Sequence, residues 1–332
     1  TPIKSSAASD VYKRQMTDTQ NEEFKTPVNK IRLFEHGAPG SQNLKLTRKY
    51  YTEDMPDGRV KHIVQNITDP DIVPYIPDGI GNSTDRQRIP AVLIIPGGAF
   101  RRLVYNFEGE DVAKWLNSMG IAAFVLECRL PSDEHDNAED VPLIDAMRAM
   151  RVIRGRAQEF GIDEAKIGVM GFSAGGFMAA LLSTAYESDV YADYKYKDEY
   201  DKLSARPDFA VCSYPVISID DCIEAGKRYM SEEQVLERIS DSKAKILHKY
   251  NPDKLVRPDM PPVFICETDD DRTTLSENSV GFYMAARKAG VSAELHIFRT
   301  GGHGYGCGDD FAQTGEWKVL FTKWIKSIGI IS

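Results

Sequence analysis

The run Val169-Met170-Gly171-Phe172-Ser173-Ala174-Gly175-Gly176 constrains the chain more than any other stretch. It follows the apolar residues 165–170 and runs straight into Phe177-Met178-Ala179-Ala180-Leu181-Leu182, so strand, tight turn and helix succeed one another without a spacer. A Gly-x-Ser-x-Gly pentapeptide in that setting is a nucleophile elbow: Ser173 sits at strained backbone angles with its hydroxyl lifted off the end of a sheet. Bulk at Gly171 or Gly175 would collide with the neighbouring strand and helix.

The rest of the chain supplies the sheet. Ala91-Val92-Leu93-Ile94-Ile95 and Ile121-Ala122-Ala123-Phe124-Val125-Leu126 are continuous apolar runs, the mark of parallel strands buried on both faces. Residues 209–214, 262–267 and 293–298 read as further strands, and 31–34, 59–67 and 71–76 as short strands near an edge, where Pro70, Pro74 and Pro77 are tolerated. Helical spacing marks 109–119, 141–160, 276–289 and 317–328. Residues 186–202 read as a solvated loop, and 223–250 as a charged helical insertion over the carboxyl edge of the sheet, before the strand that ends at Glu267. Alternating strands and helices without a linker predict one doubly wound α/β domain over 30–332, with every active residue just after a strand. Residues 16–29 read as a flexible segment. Asp10-Val11-Tyr12-Lys13-Arg14-Gln15 back-translates to a transposase adapter used in sequencing libraries, so 1–15 reads as a scar or a disordered tail.

A formal charge of -9 argues against nucleic acid or an anionic membrane as partner, and no apolar run has the length of a membrane span. The five cysteines are scattered, mostly in apolar runs, and read as buried free thiols of a reducing compartment rather than a disulfide frame or a metal site. With no signal sequence in view, the expected location is cytoplasmic.

A serine at neutral pH needs a base, and the base needs a group to fix its tautomer. Of the six histidines, His303 alone stands in a Gly-rich loop after a terminal strand, in Thr300-Gly301-Gly302-His303-Gly304. His36, His62, His135 and His248 lie in surface-like contexts and His296 on a strand, so they read as structural. The acid should follow the strand ending at Glu267, where Asp269-Asp270-Asp271 stands; spacing favours Asp271, with Asp270 second. Donors for a developing oxyanion should be the N–H of Ala174 and that of Gly98, in the turn Gly97-Gly98-Ala99 after the first buried strand. Phe100, Arg101 and Arg102 follow that turn and Phe177 follows the elbow, all placed to line a substrate mouth.

From residue 31 onward the chain resembles the α/β-hydrolase superfamily, and within it the esterases that include acetyl xylan esterase-like and feruloyl esterase-like enzymes. The resemblance rests on Pro96-Gly97-Gly98-Ala99-Phe100, Glu108-Gly109-Glu110, Cys128-Arg129-Leu130-Pro131, the elbow, Arg206-Pro207-Asp208-Phe209, Pro261-Pro262-Val263-Phe264, Glu277-Asn278-Ser279 and Gly301-Gly302-His303-Gly304. It implies a mostly parallel sheet of about eight strands flanked by helices. It also implies a Ser173, Asp271, His303 triad, no cofactor or metal, and a small-molecule or oligosaccharide ester as substrate. Three departures bear on the acyl pocket: Ala99 where such enzymes carry a third glycine, Phe177 where histidine is frequent, and Thr274-Leu275 in place of Val-Pro. The reading is therefore a serine carboxylesterase for short acyl groups such as acetylated xylo-oligosaccharides. A feruloyl esterase, a peptidase of the prolyl-oligopeptidase type and a non-catalytic hydrolase-like interaction protein are the alternatives.

Overall fold

The computed structural model describes residues 24, 27–80, 88–229, 231, 233–234, 242–308 and 313–332. Among these, the strands are β1 (Ile31–Arg32), β2 (Lys49–Asp54), β3 (Val60–Gln65), β4 (Asp71–Tyr75), β5 (Ile89–Ile95), β6 (Leu103–Val104), β7 (Ala122–Glu127), β8 (Ile162–Phe172), β9 (Ala210–Ser213), β10 (Val263–Thr268) and β11 (Ala293–Phe298). The longer helices are α1 (Asp111–Ser118), α2 (Val141–Gly155), α3 (Ala174–Ala185), α4 (Ile219–Tyr229), α5 (Ser242–Lys249), α6 (Ser276–Lys288) and α7 (Trp317–Ser327).

Eight strands form one sheet in the order β1-β4-β7-β5-β8-β9-β10-β11. From β7 to β11 every pairing is parallel, and β4 alone runs against its neighbours. The central strands are the ones whose apolar runs have no period: Ala91 to Ile94, and Ala122 to Leu126, are 0% exposed, as burial between two helix layers demands. Trp115 of α1 meets Trp317 and Phe321 of α7 at centroid distances of 4.9 and 5.4 Å, while α2 packs on α3. At about 25 cal/mol per Å2 of apolar area, this two-sided burial is the main stabilising term.

Several expectations need correction. β4 is not an edge strand, since β1 and β7 flank it, but β1 covers only Asp71 and Ile72, so Pro74 has no ladder partner on its open side. The helix read over 141–160 breaks at Arg156 (φ -103°, ψ 17°) into α2 and a single turn, Ala157–Phe160, closed by Gly161 at φ 67°. β2 was not expected at all. It pairs with β3, and β3 with β6, in a separate three-stranded sheet. His135 is not on the surface. It is 5% exposed with Nδ1 3.1 Å from Ser41 Oγ, and burial, reinforced by the nearby Arg129 charge, lowers it to about 4.

The 223–250 insertion appears as α4 and α5 where it is described, and Tyr250 and Lys249 at its end hold Asp140 at 2.5 and 2.7 Å. The scar assigned to 1–15, and most of 16–29, lie outside the described residues. Within 16–29, Phe24 packs on His62, Tyr50 and Tyr105 at 4.6, 5.4 and 5.6 Å. Cys128, Cys212, Cys266 and Cys307 are buried and form no disulfide among the described residues. Among the described residues no helix is long and apolar enough to cross a membrane.

Candidate active site

β8 ends at Phe172 and α3 begins at Ala174, which leaves Ser173 alone to make the turn, at φ 54° and ψ -118°. Such angles cost a non-glycine residue about 1–3 kcal/mol and persist only where surrounding contacts enforce them. Here the contacts are the Ser173 N–H on the Ser213 carbonyl at 3.0 Å and two glycines that admit the helix. A β-carbon on Gly171 would lie 1.9 Å from the Gly175 carbonyl oxygen, and one on Gly175 would lie 1.9 Å from that of Ile95.

Ser173 Oγ is 2.8 Å from His303 Nε2, and His303 Nδ1 is 2.6 Å from Asp271 Oδ2. The three residues come from the ends of β8 and β10 and the loop after β11. Asp271 is 2% exposed, and its Oδ1 accepts the N–H groups of Thr273 and Thr274 at 2.7 and 2.9 Å. Burial alone would push this carboxyl up. The hydrogen bond and charge of His303 and the two threonine amides outweigh it and hold the group below its ordinary range. Asp270 turns the other way: its Oδ1 accepts the N–H groups of Gly301 and Gly302 at 2.9 and 2.8 Å and so shapes the loop that carries His303.

Ala174 is the first residue of α3, where a backbone N–H has no partner within the helix. Gly98, Ala99 and Phe100 all have positive φ (137°, 56° and 59°), which coils the loop after β5 over the elbow. The Gly97 N–H does not face the open site; it donates to Glu108 at 2.8 Å. An apolar cavity of about 10 Å3, room for roughly one water-sized group, lies behind Gly97 and Ala174 against Phe100, Leu103, Leu130 and Met178. Phe177 is fully buried and meets Phe100 edge-on at 5.6 Å. Arg102 contributes to the wall of this cavity while its guanidinium pairs with Glu53 of β2; Arg101 is exposed.

Three residues at the site were given no role in its chemistry from sequence, although Glu108 stood in a stretch that carries the resemblance and Thr274 among the departures from it. Thr274 Oγ1 lies 2.9 Å from Asp271 Oδ2 and 3.2 Å from His303 Nδ1. Tyr214, at φ 37°, sets its ring 5.0 Å from that of His303. Glu108 is 5% exposed and bonds both Gly97 and the Tyr214 hydroxyl. Tyr214 obeys the rule that site residues follow strands, but the strand read over 209–214 ends at Ser213, so from sequence Tyr214 stood inside it.

The fold and the geometry of this site are those of an α/β-hydrolase. Within that class, the BD-FAE family model matches residues 80–285, and the chain belongs to that family. The crystal structure of an acetyl ester-xyloside bifunctional hydrolase from Caldicellulosiruptor lactoaceticus is similar, with a TM-score of 0.67 and 34% identity over 93% of this chain and 100% of that one. An acetylxylan esterase of Xylanibacter ruminicola is 31% identical over 72% of this chain, and an endo-1,4-beta-xylanase B of Butyrivibrio fibrisolvens is 31% identical over 68% of it. The chain spans 45% and 34% of the length of these two curated relatives.

Proposed function

We propose that the protein is a serine carboxylesterase acting on short-acyl esters, acetyl groups on xylo-oligosaccharides foremost. The observation that carries this reading is the unbroken chain of hydrogen bonds from Ser173 Oγ through His303 to Asp271, at 2.8 and 2.6 Å. Asp271 accepts a hydrogen bond from the Nδ1–H of His303, which leaves Nε2 as the base facing the serine. Ser173 attacks the ester carbonyl carbon as its proton passes to Nε2. The oxyanion of the tetrahedral intermediate accepts hydrogen bonds from the N–H groups of Ala174 and Gly98. His303 returns the proton to the leaving alcohol, and an acyl-enzyme remains. Water, giving a proton to His303, then attacks the acyl carbon; the C–Oγ bond breaks as His303 returns that proton to Ser173 Oγ, and the carboxylic acid leaves. Each oxyanion donor contributes on the order of a hundredfold to a thousandfold in rate.

The small cavity behind Ala174 supports an acetyl group over a long chain or a feruloyl ring, and two similar proteins are named for acetyl ester or acetylxylan hydrolysis. The test is one preparation assayed on p-nitrophenyl esters of increasing acyl length, on acetylated and feruloylated xylan, and on a proline-containing amide. The expected kcat/KM is highest for acetate and falls by about tenfold or more at octanoate, since each misplaced methylene costs about 1–3 kcal/mol. Preference for feruloyl esters or for the amide would replace this reading with one of its rivals.

A further inference from the structure

Resting on that reading, we propose that Glu108 is a positioning residue that sets the direction of the Gly98 oxyanion donor through a buried bridge across the site. Gly97 is held at both ends: its N–H donates to Glu108 Oε2 at 2.8 Å, and its carbonyl accepts the Val104 N–H at 2.9 Å. The Gly97 carbonyl and the Gly98 N–H belong to the same planar trans peptide and point in opposite directions. Val104 anchors that peptide, and Glu108 fixes the preceding Pro96–Gly97 peptide against which it could turn, so the two bonds together aim the Gly98 N–H. The clamp stands beside the reacting atom, since a β-carbon on Gly97 would lie 2.7 Å from Glu108 Oε2 and 2.9 Å from Ser173 Cβ.

The other carboxyl oxygen reaches across the site. Glu108 Oε1 accepts the Tyr214 hydroxyl at 2.9 Å, and that hydroxyl in turn accepts the Gly306 N–H at 3.0 Å. The Gly306 carbonyl takes the Trp317 indole N–H at 3.0 Å. One side chain thus ties the loop after β5 to the end of β9 and to the loop that carries His303. A buried carboxyl is costly unless its hydrogen bonds are made, so its place within bonding distance of two loops of the site asks for an account. Burial pushes Glu108 up from its ordinary value, while the His303 charge and the Tyr214 and Gly97 hydrogen bonds pull it down.

The experiment compares wild type, Glu108→Gln and Tyr214→Phe on p-nitrophenyl acetate and measures inhibition by a phenyl trifluoromethyl ketone, which forms a tetrahedral oxyanion on the serine. For Glu108→Gln, kcat is expected to fall by about tenfold to a hundredfold, the effect of a donor misplaced by less than about 1 Å, with KM within about twofold. Ketone affinity is expected to fall by a matching factor. Tyr214→Phe, which keeps the ring and creates no cavity, is expected to lose less, with kcat and ketone affinity again falling together. If Glu108→Gln does not fold, Tyr214→Phe decides alone. Unchanged kcat in the folded variants, or a fall in kcat with ketone affinity intact, overturns the inference while the esterase reading stands. A wild type inactive on every ester overturns both.

Discussion

At the scale of single residues, the site depends on which proton each group holds. In the proposed mechanism Asp271 keeps the Nδ1 proton on His303, so Asp271→Asn, which presents an amide donor to that nitrogen, is expected to lower kcat by about 10^3–10^4 through the wrong tautomer. Thr274→Val removes only a hydroxyl and leaves both backbone amides on Oδ1. Its kcat is expected to fall by at most about a hundredfold, because one hydrogen bond to a charged group contributes about 1.5–3 kcal/mol at most and the remaining bonds hold the geometry. Steady-state kinetics of the two variants checks both outcomes. Away from the site, His135 is neutral in the folded protein down to about pH 4, whereas unfolded it takes a proton near 6.5. The unfolded state therefore binds more protons across that window, and stability falls as pH drops from 6.5 towards 4, by about 2 kcal/mol after discounting for solvent screening. Asp271 adds a loss that begins below its ordinary value of 3.8, as its lowered carboxyl takes up a proton. Denaturant melts of wild type and His135→Gln between pH 7 and 4.5 should show the smaller slope in the variant.

At the scale of elements, the turn between β8 and α3 admits no extra atoms, whereas α6 has room for one. Gly175→Ala would place a methyl 1.9 Å from the Ile95 carbonyl oxygen, so it is expected to cost more than about 3 kcal/mol or to prevent folding. Gly281, exposed inside α6 with nothing within 4 Å of an added β-carbon, behaves oppositely: Gly281→Ala should stabilise by about 0.5–1 kcal/mol, read as a raised Tm. Elements buried on both faces were the legible ones. β5, β7 and β10 announce themselves as unbroken apolar runs, and the elbow by its glycines. β2 was invisible because Lys49-Tyr50-Tyr51-Thr52-Glu53-Asp54 is half exposed, and its partners β3 and β6, not its own composition, make it a strand. The break at Arg156 was hidden likewise, since the apolar stripe continues through it to Phe160.

At the scale of the whole molecule, the site is a product of topology. Ser173 and His303 are 130 residues apart, with Asp271 between them 32 residues before His303, yet the parallel order β8-β9-β10-β11 brings their loops to one edge. That these three would meet was legible because each carries a local signature: an elbow, a Gly-rich loop, an acid after a strand. The Glu108 to Tyr214 contact, 106 residues apart, has none, because nothing near either residue in sequence states that both turn inward. The central claim is that Ser173 is the nucleophile of an ester hydrolase, and p-nitrophenyl acetate hydrolysis by wild type and Ser173→Ala tests it most directly. The account predicts turnover by wild type, a fall of about 10^4 or more in the variant, and a melting temperature that does not drop, since the change removes one hydroxyl. Activity retained by a folded Ser173→Ala protein would contradict it.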